Sequence, residues 1–379
     1  MPRPSPASIL TYFRDLPDPR RETRNKKHRL IDILVLALCG TIAGCQSAVE
    51  IAAYGRAKRE WLKTFLQLPH GIPSHDTLSR VLQLLDAPKF RDCFVAWVRA
   101  LHEPTRGQVV PIDGTTPRRS FDSAHGLPAL HRVSGWAAEN RLVLAALPVD
   151  DKSNEITAIP RLLEILELTG AIVTIDAMGC QKEIAAAVRQ KEADYVLAVE
   201  ENQPHLYQDL SDHFDRVLED EEILPRSRRH ATREKNRGRA EHRTYIATPV
   251  PEGLRDRAAW RDLTSVGCVV SVVQRDGKEA VEVRYFISSL KPQARLLAKA
   301  VRGHWTIENG QHWVLDVVFQ EDQCRARLDN AAENLALLRR LAMNLMAKDG
   351  SKHASLRVKG RTAGWDDDLM AQILTAGTS

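Results

Sequence analysis

Three acidic residues, far apart in the chain, stand where side chains of their type can do chemistry. Asp113 ends the apolar run Val109–Asp113, Asp176 ends the apolar run Ala171–Asp176, and Glu308 lies in a segment with a helical pattern. A carboxylate at the end of a buried strand is stable only where water, a cation or a hydrogen-bond donor meets it. Two such carboxylates on neighbouring strand ends, with a third from a helix, supply the oxygen ligands that Mg²⁺ prefers. Paired divalent ions about 3.5–4 Å apart promote phosphodiester chemistry, which is therefore the activity that the pattern predicts.

The composition is that of a soluble globular protein. The chain has 379 residues, of which 43% are hydrophobic and 27% charged, and its length predicts two domains or one domain with a large insertion. The longest apolar stretch, Ile31–Cys45, is shorter than the ~20 residues of a bilayer span. The N-terminus lacks a hydrophobic signal core, so we expect a cytoplasmic protein without membrane attachment. The six cysteines include no Cys-x-x-Cys pair, which argues against a zinc or disulfide framework.

Positive charge is concentrated in two short runs. The net charge is only +5, yet residues 1–105 hold 16 lysines and arginines against 10 aspartates and glutamates. The dense runs are Arg20–Arg29 and Arg226–Arg243, the second with eight basic residues against two glutamates. Such runs bind polyanions by releasing counterions from phosphates, or else form solvated loops. The candidate DNA-binding residues in these runs are Arg20, Arg21, Lys26, Lys27, Arg228, Arg229, Arg237 and Arg239.

The first hundred residues have the pattern of a helical domain. Apolar residues recur at spacings of three and four in Leu30–Ile42, Val49–Leu66, Thr77–Leu85 and Phe90–Leu101. The turn before the third helix offers Ser74 or Asp76 as its N-cap. A helix, a turn and a short helix with Arg80 facing outward resemble a DNA-binding helix-turn-helix, although any helical bundle contains such turns.

From residue 109 the pattern changes to strands and then to alternating strands and helices. Strands are predicted at Val109–Asp113, Leu130–Trp136, Leu142–Val149, Ala171–Asp176 and Tyr195–Val199. Helices are predicted at Ile156–Leu168, Gln181–Lys191 and Gln203–Leu218. The succession predicts a mixed sheet flanked by helices, the α/β class. In a ribonuclease-H-like order, the first and fourth strands would be neighbours.

The alternation is interrupted between about residues 220 and 290. Three β-rich segments fall there, at Arg243–Ala247, Val266–Gln274 and Ala280–Ser288, and they predict a β-rich insertion. Helices are predicted to resume at Gln293–Arg302, Trp305–Val318 and Ala331–Lys348. Residues 349–379 have little pattern and are predicted to form a polar tail.

The surroundings of Glu308 leave several interpretations open. The flanking Trp305 and Trp313 predict a half-buried helix, in which an unpartnered glutamate would be costly. His304 and His312 each lie four residues from Glu308, so a zinc site is an alternative, although no His-Glu-x-x-His pair exists. Otherwise, His312 is expected to line a DNA groove or to hold the helix in register.

The segment before the first helix of the α/β part is also open to two interpretations. Lys152, Ser153, Asn154 and Glu155 form either a plain helix start or a source of polar ligands. In the second case, Asn154 and Glu155 would reach the strand ends that carry the two aspartates.

These residues resemble a known family, the bacterial insertion-sequence transposases of the DDE type, in the branch that includes the H-repeat-associated proteins. The resemblance covers nearly the full length. In the N-terminal part it rests on Leu16-Pro-Asp-Pro-Arg-Arg21, Glu50-Ile-Ala-Ala-Tyr-Gly55 and Gly71-Ile-Pro-Ser-His-Asp-Thr77. Further along it rests on Ile112-Asp-Gly114, Lys152-Ser-Asn-Glu-Ile156, Ile172-Val-Thr-Ile-Asp-Ala-Met-Gly-Cys-Gln181, Ile307-Glu-Asn309, His312-Trp-Val-Leu-Asp316 and Phe319-Gln-Glu-Asp322.

The resemblance implies a ribonuclease-H-like catalytic domain at residues 106–348, with the β-rich insertion at about 220–290. A helical transposase-associated domain, for DNA binding or assembly, would precede it at residues 1–105. The family implies two Mg²⁺ or Mn²⁺ ions held by Asp113, Asp176 and Glu308. It also implies double-stranded DNA as the partner, both terminal inverted repeats and target DNA, and we expect a homodimer on that DNA.

The chain departs from the family pattern at two places. Thr115 and Pro117 stand where the family has lysine and leucine, and Glu200-Glu201 replaces Lys-Gly. A glutamate near the metals would repel phosphate where a lysine would attract it. The resemblance implies a transposase that cleaves transposon ends and transfers the strand to target DNA. The alternatives are a catalytically inactive DNA-binding remnant, favoured by the departures, and a ribonuclease-H-like nuclease without strand transfer.

Overall fold

A computed structural model describes residues 7–23, 26–101, 106–116, 131–149, 154–219, 225, 228–236, 239–275, 278–350 and 354–376. Four residues singled out above lie outside the described residues: Pro117, Lys152, Ser153 and Arg237. Within the described ranges, no helix is both long and apolar enough to cross a bilayer.

Six helices form the N-terminal part: α1 (Ala7–Phe13), α2 (Leu30–Ile42), α3 (Ala48–Ala57), α4 (Arg59–Leu62), α5 (His75–Leu84) and α6 (Ala87–Leu101). Helix α2 is buried on all sides, which accounts for its apolar sequence. The helix predicted over Val49–Leu66 is divided at Lys58. The Ser74 hydroxyl accepts a hydrogen bond from the Thr77 amide at 3.3 Å, so one of the two predicted N-caps of α5 is confirmed.

Nine strands within the described residues form one mixed sheet: β1 (Val109–Thr115), β2 (Arg132–Ala137), β3 (Leu142–Pro148), β4 (Ile172–Ile175), β5 (Asp194–Val199), β6 (Arg229–Asn236), β7 (Arg239–Pro249), β8 (Ser265–Arg275) and β9 (Lys278–Ser288). Their order is β3-β2-β1-β4-β5-β9-β8-β7-β6. Strands β1, β4 and β5 run parallel, and the other neighbouring pairs are antiparallel. The predicted mixed α/β class is confirmed, and so is the predicted pairing of the first and fourth strands.

Helices cover both faces of the sheet near β1 and β4. Helix α10 (Ala294–His304) packs on one face, where Leu297 joins an apolar cluster with Ile172 of β4. The next residue of β4, Val173, belongs to the main core together with α7 (Glu155–Ile165) and α8 (Lys182–Gln190). Helix α9 (Pro204–Glu219) follows β5. Alternate residues of β4 therefore enter different cores, as expected for a strand between two helical layers.

The β-rich insertion differs from the prediction because it contains four strands where three were predicted. The additional strand is β6, which is formed by part of the basic run. Strand β9 pairs with β5, with Val196 opposite Ser288, so the insertion extends the central sheet. Among the described strands, β6 pairs only with β7, so it is one of the two edge strands of the sheet. An edge strand rich in charge needs no alternating apolar face, so its sequence lacks the usual strand signal.

The predicted polar tail is wrong for the residues that the structure describes there. Helix α12 (Ala331–Lys348) is followed by α13 (Leu356–Trp365) and α14 (Asp367–Thr375). The buried side chains of Met370 and Ile373 join the main core with the N-terminal helices. The Lys58 ammonium lies 2.7 Å from the Asp367 carboxylate. The last helices therefore pack onto the first, while the predicted domain boundary near residue 105 stays a prediction.

Candidate active site

Asp113 lies within β1, two residues before the strand ends. Its antiparallel partner on β2 is Ser134, and its preceding residue, Ile112, is in register with Ile175 of the parallel strand β4. The Asp113 carboxylate accepts a hydrogen bond from the Gly114 amide at 2.8 Å. Because Asp176 follows Ile175 directly, the two aspartates stand at the same level of adjacent parallel strands.

Asp176 ends β4 by capping a short 3₁₀ turn, Ala177–Gly179. Its Oδ1 accepts a hydrogen bond from the Gly179 amide at 3.3 Å. A cap of this kind satisfies a backbone donor that the turn leaves free. The cap fixes the carboxylate at the carboxyl edge of the sheet.

Glu308 begins a π-helical turn, Glu308–His312, which precedes α11 (Trp313–Val317). The buried Gln311 side chain donates a hydrogen bond to the Ser134 hydroxyl at 2.6 Å. Gly310 lies against the Trp136 ring, close enough that a Cβ atom there would be 2.8 Å from Cζ2. Single π-helical turns are frequently found at functional sites. Both contacts fix the turn to β2, the neighbour of the strand that carries Asp113.

The segment around Glu308 is half-buried, as predicted, since Ile307 and Gln311 are buried, but Glu308 itself is on the exposed side. Glu308 is exposed, and the flanking Trp305 and Trp313 are 37% and 55% exposed. The Arg284 guanidinium lies 5.0 Å from the centroid of the Trp305 ring, a cation–π contact. The glutamate therefore has access to solvent and to a ligand, and no burial cost explains its presence.

The acidic side chains act on one another electrostatically. Burial and the charge of Asp176 raise the pKa of Asp113 to about 7, with Glu155 and Glu308 acting in the same direction and the Gly114 amide against it. In the described part of the chain, no lysine or arginine forms an ion pair with Asp113, Asp176 or Glu308. Asp176, Glu308 and a further carboxylate, Glu155, are therefore near enough to Asp113 to influence its charge.

Two histidines near Glu308 have different surroundings. His312 Nδ1 lies 3.7 Å from Asp113 Oδ2, and its Nε2 is buried with no hydrogen-bond partner among the described residues. Burial and the charge of Arg340 lower the pKa of His312 to about 4, so its ring is neutral at pH 7. His304 instead pairs with the Thr174 hydroxyl at 3.0 Å on the face covered by α10. The π-helical turn breaks the four-residue spacing that suggested a zinc site.

Glu155 is one of the two residues predicted to reach the strand ends. Its Oε1 lies 2.6 Å from His131 Nε2, whose ring also contacts the Thr116 hydroxyl. Asn154 is exposed and precedes the helix. Neither His131 nor Thr116 was singled out, because neither carries a local signal for its place at the site.

The donor set can be compared with the needs of a divalent metal ion. Among the described residues, no three histidine, cysteine, aspartate or glutamate side chains stand close enough to enclose one ion. The type of donor nevertheless fits, because crowded carboxylates without basic partners have a charge that a hard cation would offset. The side chains would have to draw together on binding.

A cavity of about 370 Å³ opens beside Asp176 at the end of β5. Glu200 and Glu201, the residues that replace Lys-Gly, line this cavity and are exposed. Because β5 runs parallel to β4, its end opens at the same edge of the sheet. The departures at these two positions therefore add negative charge next to the acidic site.

A second cavity, of about 1010 Å³, lies between the β6–β7 hairpin and the turn that carries Glu308. Arg243, Arg302 and Arg357 line it, together with Trp305 and Trp313. Arg302 of α10 forms an ion pair with Glu234 of β6, which ties the hairpin to the helix. The basic hairpin is therefore a wall of a groove beside the candidate active site.

The other predicted DNA contacts differ in the exposure of their side chains. Arg20 pairs with Asp18 at 2.7 Å, and Lys26 lies 3.3 Å from the same carboxylate. These two side chains hold their own loop together. Four predicted contacts have exposed side chains: Arg21, Lys27, Arg80 and Arg229. The Arg228 side chain is half-buried, and only the backbone of Arg239 is described.

Comparison with known proteins identifies the class. The family described as "DDE_Tnp_1-associated" matches residues 10–98, and the family described as "Transposase DDE domain" matches residues 104–345. The chain therefore belongs to the DDE transposase family, as its motifs predicted.

Relatives narrow the position within the family. The "H repeat-associated putative transposase YhhI" of Escherichia coli (strain K12) is 37% identical over 371 residues, covering 97% of each chain. The "Putative transposase YncI" of Escherichia coli O157:H7 is 40% identical over 344 residues, 89% of this chain and 87% of that protein. A solved piggyBac transposase synaptic complex with hairpin DNA is 12% identical at a TM-score of 0.42, covering 97% of this chain and 76% of that one, too distant to support an inference. The predicted H-repeat-associated branch is confirmed.

Proposed function

We propose that the chain is a transposase that cleaves phosphodiester bonds at the ends of an insertion sequence and transfers the released strand into target DNA. The observation that carries the proposal is that Asp113 and Asp176 stand side by side on β1 and β4, with Glu308 on the turn that contacts β2, in a member of the DDE transposase family. The ribonuclease-H-like class is part of the proposal. The strand order β3-β2-β1-β4-β5, with the last three strands parallel, supports it.

The proposed roles of the residues follow from their positions. When bound at Asp113, Asp176 and Glu308, two Mg²⁺ or Mn²⁺ ions supply an activated water and stabilise the leaving oxygen. The β1–β4 register holds the two aspartates side by side, and the contacts of the π-helical turn with β2 hold Glu308 across from them. The released 3′-hydroxyl then attacks target DNA, so no serine or tyrosine nucleophile is required.

The groove between the β6–β7 hairpin and the Glu308 turn is the proposed DNA path. On its wall, Arg357 is exposed and suits a phosphate, whereas Arg302 and Arg243 already pair with Glu234 and Glu241. The exposed Trp305 and Trp313 offer apolar contact to the sugar and base edges. We propose that Arg228 and Arg229, at the start of β6, and His312, beside Asp113, also contact DNA. Residues 1–105 would bind DNA or assemble the dimer on it.

The test is metal-dependent cleavage of DNA that carries the coding region with its flanking sequence on both sides. Asp113→Ala, Asp176→Ala and Glu308→Ala should each abolish cleavage in Mg²⁺ while leaving the fold and DNA binding intact, because each removes a ligand and not a core contact. Glu183→Ala, an exposed position on α8, is the matched control. Retained cleavage in any of the three variants would remove that residue from the proposal. A pre-cleaved end with a free 3′-hydroxyl then separates a transposase from a nuclease that lacks strand transfer.

One observation favours a second candidate, a DNA-binding remnant without activity. Glu200 and Glu201 line the cavity that contains Asp176, where DNA would bring further negative charge. A remnant would bind DNA and would cleave none in either Mg²⁺ or Mn²⁺. Binding without cleavage by the unaltered chain selects this candidate over the first.

A further inference from the structure

Two side-chain amides hold the short 3₁₀ turn that Asp176 caps. The Asn202 side chain donates a hydrogen bond from Nδ2 to the Ala177 carbonyl at 2.6 Å. The Gln203 side chain donates one from Nε2 to the Cys180 carbonyl at 2.9 Å. Both donors lie between β5 and α9, and β5 is the parallel neighbour of β4. The two bonds therefore join the end of β5 to the turn at the end of β4.

The segment that carries these amides is itself anchored. The Gln203 backbone amide donates a hydrogen bond to the Glu200 carbonyl at 3.0 Å, and the Gln203 carbonyl accepts one from the Tyr207 amide at 2.8 Å. Leu206 and Leu210, on the helix that follows, are buried in the main core. Gln203 is thereby fixed at the start of a packed helix, and its side chain passes that position on to the turn.

The turn is also packed tightly against β4. A Cβ atom at Gly179 would lie 2.3 Å from Ile175 Cγ2 and 3.1 Å from Ile159 Cδ1. The Gly179 amide is the donor that meets Asp176 Oδ1 at 3.3 Å. The direction of the Asp176 carboxylate therefore depends on where the turn keeps the Gly179 amide.

The two amides matter more for position than for stability. Asn202 is exposed and Gln203 is half-buried, so neither side chain fills the core. One hydrogen bond near the surface adds little to the free energy of unfolding, because water competes for both partners. A displacement of about 1 Å at a reacting group can nevertheless cost about a hundredfold in rate.

We propose that Asn202 and Gln203 are positioning residues of the active site, whose side-chain amides hold the turn and so fix the Asp176 carboxylate beside Asp113. The inference rests on the proposed function in one respect, because the catalytic use of Asp176 belongs to that proposal. It goes beyond that function because it assigns a role to two uncharged residues. They act through the backbone of the turn and not on the reacting atoms.

Amide hydrogen exchange of the full chain tests the hold on the turn and needs no activity. Gln203→Met and Asn202→Ala each remove one donor without adding a charge. Exchange at the Gly179 and Cys180 amides, followed by mass spectrometry on overlapping peptides, should become about two- to tenfold faster in each variant, as expected for the loss of one hydrogen bond. Amides inside β5 should exchange as in the unaltered chain, which separates a local opening from a general loss of stability.

The matched control is Gln208→Met, which removes the same amide group from an exposed position on α9. The Gln208 side chain donates a hydrogen bond to Asp212 on the same helix at 2.7 Å and is not bonded to the turn. Exchange at the turn and cleavage of DNA should both be unchanged in this variant.

Cleavage kinetics test the consequence for the active site. On DNA that carries the coding region with its flanking sequence, kcat should fall about tenfold or more in Gln203→Met and in Asn202→Ala, while KM for DNA stays within about twofold. The urea midpoint should stay close to that of the unaltered chain. A purely structural role would lower the midpoint and leave the kcat of the folded protein unchanged.

The outcomes separate this inference from the proposed function. If the Gly179 and Cys180 amides exchange in both variants as they do in the unaltered chain, the side-chain amides do not hold the turn and the inference is overturned. Faster exchange with an unchanged kcat overturns it as well, and a raised KM with an unchanged kcat would assign the two residues to DNA binding instead. If the unaltered chain cleaves no DNA, the proposed function fails, and the exchange rates still decide whether the two amides hold the turn that Asp176 caps.

Discussion

Replacing Gly310 by alanine should displace Glu308 without changing any charge. A Cβ atom on Gly310 would lie 2.8 Å from Cζ2 and 3.3 Å from Cε2 of Trp136. An unstrained carbon–carbon contact is about 3.5–4.0 Å, so the turn must move outward by roughly 0.7–1.2 Å. The Trp136 ring is 1% exposed inside the sheet layer and has no free space to rotate into. The strain therefore falls on the π-helical turn.

Two effects of different size follow from this displacement. Overpacking of a well-packed contact lowers the free energy of unfolding by about 1–3 kcal/mol. Glu308 lies two residues before Gly310 in the same turn and moves with it. A misplacement of about 1 Å can cost about a hundredfold in rate. We expect cleavage to fall by about tenfold to a hundredfold while DNA affinity stays unchanged.

Single-turnover cleavage at saturating protein gives the rate, and urea unfolding gives the stability. Gly253→Ala is the control, because nothing lies within 4 Å of the Cβ atom it would add. Combining Gly310→Ala with Trp136→Phe should restore part of the rate, since the smaller ring leaves room for the methyl group. If Gly310→Ala cleaves and unfolds like the unaltered chain, the turn is not held by this contact and the reasoning is refuted.

Three further predictions concern DNA binding and pH. Four arginines of the basic run are replaced by alanine: Arg228, Arg229, Arg237 and Arg239. DNA binding should weaken, and the slope of log K against log salt should fall by about 0.9 for each lost phosphate contact. The control is the double variant Arg257→Ala, Arg261→Ala. If the salt slope of the hairpin variant is unchanged and equals that of this control, the hairpin arginines contact only solvent. Burial disfavours the charge of Glu321, but Arg340 and Arg132 are the main neighbours that lower its pKa to about 2. Glu321→Gln should therefore destabilise the fold by about 3–5 kcal/mol at neutral pH. The charge of Glu321 stabilises the folded state above the unfolded pKa of 4.5, and this effect is lost as the pH falls toward 2. The loss of stability in Glu321→Gln should therefore shrink between these pH values, and a constant loss contradicts the role given to this charge. Glu200→Lys should raise DNA affinity and cleavage, most at low ionic strength because salt screens an exposed charge. If the variant and the unaltered chain cleave equally well at low salt, Glu200 does not limit activity.

Much of the catalytic half could be predicted because its signals are local. The runs before Asp113 and Asp176 are apolar and rich in β-branched residues, the composition of strands buried on both faces. Buried parallel strands lie side by side, so their carboxylates meet at one edge. The α2 helix was equally clear, since it begins at Leu30 and ends at Ile42 as its apolar spacing predicts.

The finer geometry of the site depends on contacts between distant segments. A π-helical turn has no local sequence signal. In the turn at Glu308, Gly310 packs against the ring of Trp136, which lies more than 170 residues earlier in the chain. Gly114 likewise leaves room for the carboxylate of Glu155, which comes from a distant segment of the chain. The tail was misjudged for another reason, because α13 and α14 are each only about three turns long and their apolar pattern is short.

The two departures from the family pattern, at Thr115 and at Glu200-Glu201, have different structural surroundings. Thr115 stands opposite Arg132 across the β1–β2 ladder, and the Arg132 side chain is buried. A lysine at 115 would set a second positive charge directly across from that guanidinium, which destabilises a sheet. Threonine at 115 therefore avoids a like-charge pair across the ladder. Glu200 and Glu201 are exposed and have no basic partner among the described ion pairs, so stability does not account for them. Glu200→Lys therefore tests whether the negative charge at the end of β5 limits cleavage.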